Sequence, residues 1–267
     1  MKPITLQLKK RLKYRIDMSC LSTLSKNSSS LASKIIMYGN KQFKIKDLFS
    51  IKGDDVNNIV IKSSVHLLDN IGKKLRDINI TVYGDVGYSL GEQMISGKLE
   101  VYGNTLDYTA SGMKGGSIFI YGDTGNYTCG KSNSLNEGMI DGLLFIKGNV
   151  GNNSIERMRR GNIIIEGNIG DYGCHQMISG TVMIKGKIGK FFAEEIKRGS
   201  IFTKDKNLVK NYNKSNNAEY NFTSFFIKEI SKIISKNLFI NNNSLVRYCG
   251  HKDTNNLSEI FLFKGYL

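Results

Sequence analysis

Proline is nearly missing from this chain of 267 residues: Pro3 stands alone against 28 glycines. The glycine excess does not make a low-complexity sequence, because 40% of the residues are hydrophobic and fall in short regular runs. Glycine does not recur at every third residue, which excludes a collagen-like triple helix. Long apolar runs are missing too. No stretch approaches the roughly 18 residues of a membrane span, and the basic N-terminus MKPITLQLKKRLKYRIDMS lacks the apolar segment of a secretory signal. The four cysteines (Cys20, Cys129, Cys174 and Cys249) form no CxxC pair and show no zinc or iron–sulfur spacing. Free thiols in a reducing cytoplasm are expected.

Catalytic signatures are equally scarce. His66, His175 and His251 have no HxH or HExxH partner, so a hydrolytic zinc site is not expected. No GxSxG or P-loop occurs. EGNIGDYG (Glu166–Gly173) imitates a phosphate loop, but its glycines belong to a repeat and no helix pattern follows. Net charge is +15, unevenly spread. Residues 1–58 hold 12 basic and 4 acidic side chains, residues 59–204 hold 17 and 14, and residues 205–267 hold 9 and 5. The middle is nearly balanced, the Lys/Asn/Ile abundance fits an A/T-rich genome, and no nucleic-acid-binding signature is present. Binding to nucleic acid or membrane is therefore not expected.

What the chain does contain is a repeat. Gly84, Gly103, Gly122, Gly148, Gly167 and Gly186 are spaced 19, 19, 26, 19 and 19. Gly97, Gly116, Gly142, Gly161, Gly180 and Gly199 follow the same spacing, each three residues after Met94, Met113, Met139, Met158, Met177 or Ile196. The seven extra residues, Ser132–Gly138, fall in one unit only. Between the glycines stand alternating apolar pairs: Leu99/Val101, Ile118/Ile120, Leu144/Ile146, Ile163/Ile165 and Val182/Ile184. Period-two alternation bounded by glycine marks a short half-buried strand. A degenerate unit precedes them, with Ile59/Ile61, Gly72 and Leu75 in the matching places.

One such unit cannot bury its own apolar side, but stacked units can. The expectation is an all-β, single-stranded β-helix of about seven coils over residues 59–204. Residues 1–58 would form an N-terminal strand and helix cap, and residues 205–267 a C-terminal helix and tail. Glycines at both series would turn the corners, where positive φ is needed and stacking leaves little room. Asp85, Asn104, Asp123, Asn149, Asn168 and Lys187 follow the first series, where Asp and Asn suit a tight turn by bonding their own backbone. This turn role outweighs a carbohydrate-cleaving one for Asp85, Asp123 and Asp171. The methionines read as a core stack rather than a soft-metal ladder, since Leu75 and Ile196 take equivalent positions. Gly91, Ala110, Cys129, Cys174 and Ala193 form a small-residue column beside them.

At the ends, ITLQLKKRLKYRIDMS alternates as a strand, SSLASKIIMYG suits a short helix, and FKIKDLFSIKG leads into the first unit. FTSFFIKEISKIISKNL places Phe222, Phe226, Ile230, Ile233 and Ile234 at helical spacing, an amphipathic helix suited to capping the last unit or, second to that, to meeting a partner subunit. The tail RYCGHKDTNNLSEIFLF would add a final strand. One basic cluster stands out: Arg157, Arg159 and Arg160 in ERMRRG, with Lys197 and Arg198 two units later and Lys114 two units earlier. It is either a solvated arc or a strip for a polyanion or acidic partner.

GDVGYSLGEQMISGKLEVYG, the longer unit ending NEGMIDG, RMRRGNIIIEGNIG and MISGTVMIKGKIG resemble the β-helical scaffold subunit of formylmethanofuran dehydrogenase, over residues 45–204. The same GxxGxxxG β-helix forms the C-terminal domain of the glutamate synthase large subunit. RMRRG and MISGT resemble the bacterial version most, which is the scaffold subunit of the formyltransferase/hydrolase complex. The resemblance implies a scaffold without its own active site or metal. Its partners would be a formyltransferase subunit, moving formyl between tetrahydromethanopterin and methanofuran, and an amidohydrolase-like subunit releasing formate. Methanofuran can carry an oligoglutamate tail, which would give Arg157, Arg159, Arg160, Lys197 and Arg198 a ligand. Two departures stand out: GHKD replaces an acidic GD pair, and Thr105–Leu106 replaces a glycine corner. The equivalent scaffold of a molybdenum or tungsten formylmethanofuran dehydrogenase, or a polyanion-binding solenoid, are the alternative expectations.

Overall fold

The computed structural model describes residues 1–23, 29–132, 134–215, 221–234, 245–252 and 256–263. The alternating apolar pairs become strands. In chain order these are β1 (Pro3–Leu8), β2 (Ile16–Asp17), β3 (Ile35–Tyr38), β4 (Lys41–Lys44), β5 (Phe49–Lys52), β6 (Asp55–Ser64), β7 (Leu68–Asp69), β8 (Asn79–Gly84) and β9 (Lys98–Tyr102). They continue as β10 (Ser117–Ile120), β11 (Leu143–Ile146), β12 (Asn162–Ile165), β13 (Thr181–Ile184), β14 (Arg198–Thr203), β15 (Tyr212–Lys214), β16 (Leu245–His251) and β17 (Leu257–Phe263). Helices are few and short: α1 (Ser29–Ser33), α2 (Ile45–Leu48) and α3 (Asn221–Ile233).

Among the described residues, 13 strands join one large, mostly parallel sheet, in the order β15-β16-β17-β14-β13-β12-β11-β10-β9-β8-β6-β1-β5. From β1 to β17 every neighbouring pair is parallel, and antiparallel pairing occurs only at the two ends, β1 with β5 and β17–β16–β15. The register follows the repeat. Ile80, Leu99, Ile118, Leu144, Ile163, Val182 and Ile201 lie in one line across the sheet. The step from β10 to β11 skips the inserted residues without shifting that line.

A second parallel ladder runs through Val86, Thr105, Thr124, Val150, Ile169 and Ile188. A third joins each residue after a methionine to the methionine before it: Lys114 N donates to Met94 O (2.7 Å) and Arg159 N to Met139 O (2.8 Å). Each repeat is thus bonded to its neighbours on three sides. The inner line of strand residues and the Met94, Met113, Met139, Met158 and Met177 column are fully buried together in one continuous core. Cys129 and Cys174 lie in that core as free thiols, with Cys129 Sγ 3.6 Å from Met139 Sδ. Burial pushes both thiols above the usual range, and pushes Cys20 up to about 11.

The two glycine series meet different demands. Gly97 has φ +93°, and a Cβ there would lie 2.2 Å from Ile78 O. Gly167 is not left-handed, but its Cβ would come within 2.3 Å of Gly148 O, so close stacking alone requires glycine. Positive φ also occurs where it was not expected. Tyr172, Cys174 and Gln176 have φ of 57°, 59° and 52°, and equivalent residues in the other repeats behave alike. Left-handed backbone costs about 1–2 kcal/mol per residue outside glycine. Here it turns alternate N–H groups along the stacking direction. Tyr172 N reaches forward to Lys190 O, Cys174 N back to Ser154 O, and Gln176 N forward to Glu194 O, each at 2.9 Å. The cost is offset because each of these N–H groups finds a carbonyl in a neighbouring repeat.

The Asp/Asn column also bonds differently from expectation. Each side chain accepts the backbone N–H of the same position in the next repeat, not of its own turn. Asp85 Oδ1 takes Asn104 N at 2.8 Å, Asn104 takes Asp123 N at 2.8 Å, Asp123 takes Asn149 N at 2.6 Å, and Asn149 takes Asn168 N at 2.9 Å. A parallel column runs through Asp107, Asn126, Asn152 and Asp171. Both end on lysines that contribute only a backbone donor, Lys187 and Lys190.

The ends differ from the sequence expectation in three places. The N-terminal strand stops at Leu8, because ITLQL alone alternates against β6, with Ile4 facing Ile59 and Leu6 facing Ile61. SSLASKIIMYG is helical only to Ser33, after which the β-branched Ile35–Ile36 pair forms β3 against β4. Helix α3 does not cover the last repeat. It lies on the flank of the sheet, with Ile227, Ile230 and Ile234 clustered against Phe119, Phe145, Ile164, Met183 and Phe202. The outward position between the paired apolar residues is polar at Thr81 and Glu100 but apolar from Phe119 onward, so this flank needs cover. Ile227 takes the buried place expected for Ile233, which is 55% exposed. The last repeat is continued instead by β17, parallel to β14. Residues 216–220, 235–244 and 253–255, which include part of a polar connection expected over residues 204–219, the end of the expected helix and Asp253 of GHKD, lie outside the described residues, as does the side chain of Phe222.

Two outcomes test this packing. Gly167→Ala should cost about 1–3 kcal/mol through overpacking, and Asn168→Ala about 1 kcal/mol through one lost inter-repeat bond, that from Lys187 N. Thermal unfolding of the two variants ranks them, and equal melting temperatures would contradict the close-stacking account. Alkylation of the native protein at pH 8 should leave Cys129 and Cys174 unmodified, since both thiols are buried and neutral. Peptide mapping before and after denaturation reads this, and rapid native labelling of either would refute it.

Candidate functional site

The corner that carries the MxxG tetrapeptides is where the repeat varies most in charge. The methionine points into the core, and the next residue bonds its N–H to the preceding repeat, so the following two side chains face outward. That column reads Ile95, Lys114, Ile140, Arg159, Ile178 and Lys197, so cations occupy alternate repeats. Neighbouring strands are about 4.8 Å apart, which puts successive cations of the column about 10 Å from one another. The next column brings Arg160 and Arg198 outward beside them, both exposed. Arg157 sits one turn earlier in left-handed backbone (φ 54°), its N–H donated to His175 O at 3.0 Å, and its side chain is half-buried.

The five predicted cations are not equivalent. Arg159 is held by Glu137 of the longer repeat at 2.5 Å, a partner that sequence reasoning missed. Its signal was a lone acidic residue inside the only insertion. Lys131, just before that insertion, reaches Glu156 at 3.6 Å. Arg157, Arg160, Lys197 and Arg198 have no ion pair among the described residues. Lys197 and Arg198, two repeats beyond the arginines, have a second neighbourhood. They line a cleft of about 850 Å³ between the last repeat and the C-terminal hairpin, with Phe192, Glu194, Asn211 and His251. In its wall the Tyr212 hydroxyl is 3.1 Å from Ser258 Oγ, and burial raises its pKa while bonds to Ser258 and Asn256 oppose the rise.

Asp85, Asp123 and Asp171 are each committed to a backbone donor of the next repeat, and Asp171 stands in a different column from the other two. No group of three or more His, Cys, Asp or Glu side chains suited to a metal ion occurs among the described residues. Aromatic stacks also went unread in the sequence. Tyr83, Tyr102 and Tyr121 stack with centroids 5.1 and 4.5 Å apart, and Tyr172 stacks on Phe191 at 4.9 Å. The signal was present, since these residues obey the same 19-residue spacing.

Comparison with solved structures gives a likeness over nearly the whole chain. A chain of the formyltransferase/hydrolase complex (FhcABCD) from Methylorubrum extorquens, solved in complex with methylofuran, aligns with a TM-score of 0.80 and 28% identity, covering 98% of this chain and 100% of that one. This agrees with the resemblance drawn from the repeat. Among curated proteins no sequence matches. The family model described as GXGXG motif matches residues 35–239, which include the whole repeat region and parts of both flanks. The chain belongs to the GXGXG motif family.

Proposed function

We propose that this chain is the non-catalytic scaffold of a complex that transfers a formyl group from formyl-tetrahydromethanopterin to methanofuran and hydrolyses it to formate. The observation that carries this reading is the end-to-end likeness to a chain of FhcABCD. In this reading residues 59–204 form a single-stranded β-helix, supported by parallel ladders on three sides at the repeat spacing. Residues 1–58 and 205–267 are end segments that extend its sheet, and the two glycine series form its corners. The interior is filled with Leu, Ile, Met and Cys side chains, which leaves chemistry to formyltransferase and amidohydrolase-like partners. The complex works in the cytoplasm.

The scaffold would also meet the cofactor of the complex. An oligoglutamate tail on methanofuran presents carboxylates in series, and arginine forks bind carboxylates well. Arg157 and Arg160, which make no ion pair among the described residues and flank the neutralised Arg159, are the groups of the arginine cluster available to it.

Co-expression with the two partner subunits should yield a stoichiometric complex with formyl-hydrolysing activity, while the isolated chain has none. A monodisperse, active monomer would refute the scaffold reading. Within the assembled complex, Arg157→Ala with Arg160→Ala should weaken an oligoglutamate ligand about 3- to 10-fold, as expected for two solvent-accessible charge contacts. Arg159→Ala alone should change it less, because that charge is already paired. Titration calorimetry separates the cases, and an unchanged affinity in the double variant returns the strip to solvated surface.

A further inference from the structure

In five successive repeats the same backbone N–H reaches forward to a carbonyl of the next one. Ser89 N meets Asp107 O, Tyr108 N meets Asn126 O, Tyr127 N meets Asn152 O, Asn153 N meets Asp171 O and Tyr172 N meets Lys190 O, all at 2.8–3.0 Å. A second forward donor stands four residues further on, as where Gln176 N meets Glu194 O at 2.9 Å. The last repeat has the same backbone shape. Phe191 and Glu195 both have φ 55°, and between them Ala193 N turns back to Gly173 O at 2.8 Å. The Phe191 and Glu195 N–H groups therefore point onward, toward the place of a further repeat. Neither has an acceptor among the described residues. Such a pair of open donors is a template for another length of backbone.

The surroundings of these donors favour a particular chemistry. The Asp/Asn column that accepts N–H groups along the stack ends on Lys190, exposed and immediately before Phe191. Lys197 and Arg198, also exposed, follow Glu195. None of the three cations makes an ion pair among the described residues. The Glu195 carboxylate is engaged with the preceding repeat, where Gln176 Nε2 donates to it at 2.8 Å, so Glu194 is the acid set against them. Residues 192–198 form one wall of the 850 Å³ cleft, and Asn211, Tyr212 and His251 of the hairpin form the other. Apolar contact is on offer as well: Leu257 in the lining is 68% exposed, and Phe191 is 51% exposed with Tyr172 stacked on it. One repeat earlier the place facing these donors is filled by a polypeptide that supplies two carbonyls four residues apart, Lys190 O and Glu194 O.

We propose that this cleft takes an acidic, non-helical segment of another polypeptide, laid over the last repeat as one further rung. Two of its carbonyls, four residues apart, accept the Phe191 and Glu195 N–H groups, and its carboxylates meet Lys190, Lys197 and Arg198. Main-chain bonds supply the affinity, and the cations supply the preference for acidic side chains and a faster encounter. The proposal stands independently of the scaffold reading, since it follows from the open end of the stack alone.

The test titrates the full-length chain into a fluorescein-labelled octapeptide of alternating glutamate and valine, read by fluorescence anisotropy. Binding with a Kd below about 1 mM is expected. Lys197→Glu with Arg198→Glu should weaken it at least about tenfold, and Lys190→Glu alone should weaken it in the same direction. Lys46→Glu, beside the opposite end of the sheet, should not. All these positions are exposed, and an unchanged melting temperature confirms that folding is intact. At saturation, hydrogen exchange followed by NMR should slow at the Phe191 and Glu195 amides. No binding at about 1 mM, wild-type affinity in both cation variants, or unprotected amides at saturation would each overturn the proposal. Equal displacement by free glutamate at the same carboxylate concentration would make the cleft a general anion site and overturn it too. Self-association of the unmodified chain that the cation variants abolish would assign the cleft to a second copy instead.

Discussion

Backbone hydrogen bonds that run from each repeat to the next hold every other feature in place. They fix the separation of equivalent residues near the strand spacing and leave no freedom for one repeat to slide over another. Each position therefore stacks on its own kind. Glycine recurs where a carbonyl of the preceding repeat approaches within 2.3 Å of any Cβ, as at Gly167. Asp and Asn recur where a side-chain oxygen reaches the next backbone N–H, as at Asn104 and Asp123. The methionine column fills the core without strain because a flexible thioether adapts to small differences between repeats. Of the insertion, Ser132 and residues 134–137 keep exposure to solvent, whereas Gly138 is buried and bonded to Arg157 O, since any residue added within a ladder would break the register on both sides.

The same constraint decides where function can reside. The interior of the described repeats is filled with buried side chains, and the inward positions have little room to change. Changes of charge are confined to outward columns, where a substitution costs little in packing. The change from MISG at Met177–Gly180 to MRRG at Met158–Gly161 is such a variation, as is the change from Glu100 to Phe119 that turns a polar flank into a seat for α3. A stack of this kind presents long, regular surfaces at fixed spacing, which suits a protein whose role is to position others.

Much of the fold was legible because the structure is periodic along the chain. A demand made by stacking is made again every 19 residues, so glycine, Asp/Asn and the apolar pairs appear as columns in the sequence itself. The Glu137–Arg159 pair was not legible, since the insertion that carries Glu137 has no counterpart in any other repeat. The flank position of α3 depended on which residues of five separate strands face outward together. Tyr172 and Cys174 in left-handed backbone carry no local signal, because neighbouring repeats, not the residues themselves, set the sign of φ.

The sequence by itself determined the period, the strands, the family and the lack of familiar catalytic motifs, because each is written in spacing along the chain. Only the tertiary structure decided which of five basic residues stands in an ion pair and where the terminal helix rests. Those outcomes depend on contacts between segments 22 to 61 residues apart, such as Glu137 with Arg159 and Phe202 with Phe263. No local pattern encodes a distance that only folding closes.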